Sequence, residues 1–136
     1  MNFAASIVTS FGLLFLTIAL APADPPTAGV HQAATKERCI KACDECIRAC
    51  RECLVGCDCE GSEKPCLVCI ETCRACIALM EYDSPLCGEM CVLCEKACEA
   101  CAKACRECGM RTCQEDCATA CETCRDTCRA MVESML

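Results

Sequence analysis

Cysteines are the residues in this chain that could do chemistry. Cys39, Cys43, Cys46, Cys50, Cys53 and Cys57 come first, then Cys59 alone, then Cys66, Cys69, Cys73 and Cys76. Cys87, Cys91, Cys94, Cys98, Cys101, Cys105 and Cys108 follow, and Cys113, Cys117, Cys121, Cys124 and Cys128 complete the set of 23. A thiol can fill a core as a small hydrophobe, pair as a disulfide, or bind a soft metal as thiolate. Packing alone does not account for the pattern, because cysteine fills space poorly beside leucine and its reactivity usually decides its retention.

Disulfides suit an exported protein, and stapled helical hairpins show a comparable pattern. Neighbouring cysteines on one helix have Cβ atoms about 5 to 6 Å apart, against the ~3.8 Å a disulfide prefers, so only cross-helix pairs fit well. The odd count also leaves at least one thiol unpaired in a monomer. Zinc needs sets of four thiolates, each set leaving a net −2, and no Lys or Arg lies within the cysteine stripes to offset it. Cu(I) is soft and exchanges for one thiol proton per ion, so a thiol-lined interior stays near neutral at a loading of roughly 20 ions per chain. Cu(I) is therefore the favoured ligand, with a disulfide-stapled structural module and a multi-zinc buffer as alternatives.

Other thiol chemistries fit less well. The triplets Cys39-Cys43-Cys46 and Cys87-Cys91-Cys94 have the spacing of iron-sulfur enzymes that cleave S-adenosylmethionine, but the chain is too short for their barrel. No βαβ pattern surrounds a C-x-x-C, which removes a thioredoxin-like role. The one histidine, His31, reads as a solvated side chain. The pattern indicates no catalytic constellation, and a non-enzyme is expected.

Alternating steps of four and three put each run of thiols on one helical stripe. The spacing predicts a first helix over Cys39 to Cys57 and a loop over Asp58 to Lys64. A second helix follows, with Pro65 in its first turn and Met80 continuing the stripe. Ser84 and Pro85 read as N-cap and first position of a third helix, and Gly109 as its left-handed stop. Thr112-Cys113-Gln114-Glu115 reads as a capping box opening the fourth, which ends with Met131 and Met135 on the stripe. Ile40, Ile47, Leu54, Leu67, Ile70, Ile77 and Leu93 flank the stripes. Short loops imply antiparallel neighbours, so the fold class is all-α, an up-down-up-down four-helix bundle with a cysteine-lined core.

Residues 1–23 carry no charged side chain and end in Ala21-Pro22-Ala23, a signal-peptidase pattern that lacks the usual basic start. Residues 24–35 read as a linker and residues 36–136 as the bundle. The expected setting is outside the cytoplasm, in the periplasm or cell envelope, with no membrane association once the leader is removed. All three Phe lie in the leader, so Tyr82 is the only aromatic residue after it. The net charge of −7 is spread over both signs, with acid-first pairs such as Glu37 with Lys41, Asp44 with Arg48 and Glu99 with Lys103. That acidity, without a basic patch or stacking aromatics, excludes nucleic acid as the expected partner.

The chain resembles the bacterial copper storage proteins. The resemblance is carried by Asp83-Ser84-Pro85, Cys91-Val92-Leu93-Cys94, Cys98-Glu99-Ala100-Cys101, Cys121-Glu122-Thr123-Cys124 and Cys128-Arg129-Ala130-Met131. The opening Cys39-Ile40-Lys41-Ala42-Cys43-Asp44-Glu45-Cys46 is also similar to that family's first helix. The resemblance implies Cu(I) held by inward cysteines, storage for cuproenzyme or copper chaperone clients, and a homotetramer. Exported relatives carry a twin-arginine leader, and its absence here implies export of an unfolded, metal-free chain. Where some cytosolic relatives place histidines, this chain has Gly109-Met110-Arg111-Thr112. The topology gathers Cys57, Cys59, Cys66, Cys108, Met110 and Cys113 at one mouth, the expected route for copper. Cys39, Cys76, Met80, Cys87, Met131 and Met135 gather at the other.

Overall fold

The computed structural model describes residues 27–109 and 112–136. The leader and Met110 lie outside them. Four helices run in order: α1 (Thr27–Gly56), α2 (Glu60–Glu81), α3 (Cys87–Glu107) and α4 (Thr112–Met135). Each packs on the next, and α4 closes the ring against α1, while the backbones of diagonal helices stay apart. This is the expected antiparallel four-helix bundle.

Three boundaries differ from the sequence reading. Residues 27–35, expected as linker, form the first turns of α1. Ala28, Gln32, Ala33 and Ala34 are favourable or tolerant helix residues, and their exposure means that propensity, not packing, carries the extension. Thr35 is the first buried residue, and its hydroxyl donates to the His31 carbonyl at 2.9 Å. His31 is itself exposed.

The expected loop from Asp58 to Lys64 shrinks to Cys57–Cys59. Glu60 and Glu63 occupy the first turn of α2, where the positive end of the helix dipole favours them. The Ser62 amide and hydroxyl both donate to the Cys59 carbonyl at 3.1 Å. Pro65 therefore sits inside α2, where it cannot supply the usual bond to the Gly61 carbonyl.

At the α2–α3 turn, Ser84 does not cap in the simplest way. Its Oγ accepts from the Leu86 amide at 3.3 Å, its carbonyl accepts from Cys87 at 3.1 Å, and α3 starts at Cys87. Asp83 takes a positive φ of 49° and pairs with Lys36 of α1 at 2.5 Å, so the turn is tied to the first helix. Gly109, with φ of 102°, ends α3 in the left-handed conformation expected of it.

Cross-helix ion pairs lace the surface. Arg106 of α3 meets Glu122 of α4 through two bonds of 2.8 Å, and Arg129 of α4 meets Glu95 of α3. Within helices the partners shift from the expected ones. Arg48 pairs with Glu45 and Glu52 instead of Asp44, and Lys103 approaches Glu107 instead of Glu99. Each cation is within helical reach of several acids, and spacing alone does not choose among them.

Candidate metal centre

Each helix turns its cysteine stripe inward because a step of three or four residues keeps returning to one face. The result is a column of sulfur. From the end that carries the α2–α3 turn inward, Cys39, Cys76, Cys91 and Cys128 form one level, with Cys39 and Cys128 3.7 Å apart and Cys76 and Cys91 3.6 Å apart. Cys43, Cys73, Cys94 and Cys124 form the next, with sulfur distances from 3.5 to 3.8 Å. Cys46, Cys69, Cys98 and Cys121 follow, the Cys46 to Cys69 distance being 3.4 Å. Cys50, Cys101 and Cys117, then Cys53, Cys66 and Cys105, carry the column toward the loops. Every free thiol is buried.

Thiolates on a metal–sulfur bond of about 2.3 Å sit ~3.8 Å apart around a tetrahedral ion and ~4.0 Å apart around a trigonal one. The column already has nearly that spacing, so ions could be accepted with small movements. Sets of four sulfurs that converge include Cys39, Cys43, Cys76 and Cys128, as well as Cys43, Cys73, Cys94 and Cys124. They share members, as do the sets around Cys46, Cys50, Cys69 and Cys121. Shared thiolates would bridge neighbouring ions, giving a continuous cluster where isolated sites would need separate ligands.

No charged side chain is buried among the described residues; the buried polar residues are Thr35, Ser62 and Gln114. The protons on the sulfurs are therefore the charge available for exchange. Burial, and next Cys91, push the Cys87 thiol up to about 12. Burial and then Cys105 also push Cys53 upward. Without metal, these thiols keep their protons at neutral pH.

The two ends differ. At the loop end, Cys57 is bonded to Cys113 and Cys59 to Cys108. These four were expected as thiolate ligands, and in this state they are not. The disulfide partners come from the ends of different helices, the arrangement that Cβ spacing permits; topology gathers the four at one mouth but does not choose which of them pair. Cys66 lies behind them in the column, 0% exposed. At the other end, Met80, Cys87, Met131 and Met135 line a cavity of about 430 Å3 together with Lys36 and Asp83. Cys39 and Cys76 lie beneath it, fully buried. The open, thioether-lined end is thus the one the sequence reading placed second.

The sequence profile of a family described as copper storage protein matches residues 32–133. Two solved structures are similar to the chain. Cu(I)-bound copper storage protein BsCsp3 is 33% identical, with a TM-score of 0.69 over 72% of this chain and 98% of that one. The apo form of copper storage protein 3 from Bacillus subtilis is 36% identical, with a TM-score of 0.68 over 71% of this chain and 97% of that one. No curated protein sequence matches the chain.

Proposed function

The chain belongs to the copper storage protein family, and we propose on that footing that it stores Cu(I) in its sulfur column. One observation carries the reading: the free thiols are all buried in a continuous stack with no buried charge beside them. Each Cu(I) that displaces one proton leaves such a stack neutral, whereas a Zn(II) with four thiolates adds a net −2 that nothing inside offsets. The ligands are the column cysteines from Cys39 to Cys128, and Cys57, Cys59, Cys108 and Cys113 join them only as thiols. The role is storage, not catalysis.

Copper enters at the open end. Soft thioethers at Met80, Met131 and Met135 suit Cu(I) and give it a first resting place above Cys87. The loop end, cross-tied by two disulfides, gives way to it as the route.

The working place is the cell envelope. The leader pattern of residues 1–23 supports export, and two cross-helix disulfides suit an oxidising compartment. No helix among the described residues is long and apolar enough to cross a membrane. Homotetramer formation is supported by Leu67 and Val68 of α2 and Leu93 of α3, aliphatic residues exposed on adjoining helices. Clients are cuproenzymes or copper chaperones.

An anaerobic Cu(I) titration of the chain against a competing chelator tests the reading. Tight retention of many ions per chain, approaching one per free thiol, is the expected result. Retention of only one or two ions would end it.

A further inference from the structure

The two disulfides do more than pin two helix ends. Cys57–Cys113 joins the end of α1 to the start of α4, and Cys59–Cys108 joins the start of α2 to the end of α3. Those are the two neighbouring helix pairs that the chain itself does not connect at this end. The chain supplies the other two links, from Cys57 to Cys59 and from Cys108 to Cys113. Together the four links form a closed covalent ring that binds every helix to both neighbours. At the opposite end the covalent link between helices among the described residues is the α2–α3 turn, which the Lys36–Asp83 ion pair ties to α1.

The two bonds are unequally sheltered. Cys59, Cys108 and Cys113 are half-buried, while Cys57 is only 8% exposed, so the Cys57–Cys113 bond has one sheltered sulfur and the Cys59–Cys108 bond has none. Asp58, Glu60 and Glu63 line a hollow beside Cys57 and Cys59. An acidic hollow attracts a cation and has no use for a disulfide. Directly beneath lie the last column thiols, Cys53, Cys66 and Cys105, so any thiol released at the ring would extend the column by one level.

We infer that this end of the bundle is a thiol–disulfide exchange site: oxidised, it is a locked ring, and reduced, it is an additional four-thiol Cu(I) site. The inference rests on the copper storage reading. The reductant is a dithiol. Its thiolate attacks the more accessible Cys59–Cys108 bond, forming a mixed disulfide, and its second thiol displaces the protein sulfur. One dithiol gives up two electrons and two protons and closes into its own disulfide, leaving Cys59 and Cys108 as thiols. A second dithiol does the same at Cys57–Cys113. The four new thiols each exchange a proton for Cu(I) beside the acidic hollow. In the locked state the ring also keeps the helix ends from splaying, which shields the column thiols from oxidants and disulfide scrambling.

The test uses the full chain isolated without reductant. Free thiols are alkylated in denaturant with iodoacetamide, disulfides are then reduced and labelled with N-ethylmaleimide, and the labels are mapped by mass spectrometry. Cys57, Cys59, Cys108 and Cys113 alone should take the second label. Folded protein treated anaerobically with dithiothreitol should release Cys59 and Cys108 before Cys57 and Cys113. After removal of dithiothreitol, its chelator-competed Cu(I) capacity should exceed that of the locked form by roughly four ions, one per thiol. In Cys59→Ser/Cys108→Ser, where the ring is cut, Cys57–Cys113 should be reduced several-fold faster than in the parent chain. Four free thiols at the outset, staples that resist dithiothreitol in the folded chain, or an unchanged copper capacity after opening would each overturn the inference. Failure of both forms to retain Cu(I) would instead sink the storage reading.

Discussion

A buried thiol is a proton held for exchange, and its behaviour with pH reports how firmly it is held. The Cys87 thiol is pushed up from 9.0 to about 12 by burial and then by Cys91. Cys53 is raised by burial and then by Cys105. A group raised in the folded state contributes stability in full below its unfolded value and loses that contribution as pH climbs through the folded one. These two thiols should therefore contribute in full up to about pH 9, and their part of the reduced, copper-free bundle's stability, a few kcal/mol, should be lost between there and pH 12. Copper-loaded thiolates have no proton left to lose, so the loaded bundle should show a much flatter profile. Melting followed by circular dichroism in both states, under anaerobic conditions, measures this. Parallel declines in the two states would mean that the core thiols do not set the alkaline limit.

At the scale of the helices, stability depends on where each one stops. Gly109 has a φ of 102° with nothing within 4 Å of a built Cβ, so an added methyl meets only the backbone's own preference. Gly109→Ala should destabilise the bundle by about 1 kcal/mol, lowering its melting point by ~4 °C, with copper capacity unchanged. An unchanged melting point would mean that α3 can end without a left-handed residue. This stop was legible in the sequence, as were the four helices and their inward thiols, because a period of three and four leaves one face no choice. The helix starts were less legible. Nothing apolar marks the first turns of α1, which are exposed and rest on propensity alone. Cys59 caps α2 in extended conformation without a side-chain bond, so the usual capping residues gave no warning of a start at Glu60. The disulfides were half legible: the up-down topology brings Cys57, Cys59, Cys108 and Cys113 to one end, but periodicity fixes only the face each occupies and not which of them pair.

For the molecule as a whole, charge decides which metal can fill it. The apo chain carries a formal −7, and its buried interior holds no charged side chain among the described residues. Loading with Cu(I) at one proton per ion changes neither quantity, however many ions enter. Filling four-thiolate sites with Zn(II) would release about four protons per ion and bring only two charges, so each site would make the molecule more acidic by two. Copper uptake in a lightly buffered solution near pH 7 should thus release close to one proton per Cu(I) and leave the isoelectric point near that of the apo chain. Proton release by pH-stat titration and isoelectric focusing of apo and loaded protein give the two numbers independently. A release near two protons per Cu(I), with an isoelectric point that falls as ions enter, would mean that thiolates outnumber copper in the cluster. The interior would then accumulate negative charge as it fills, and storage would stop well short of one ion per thiol.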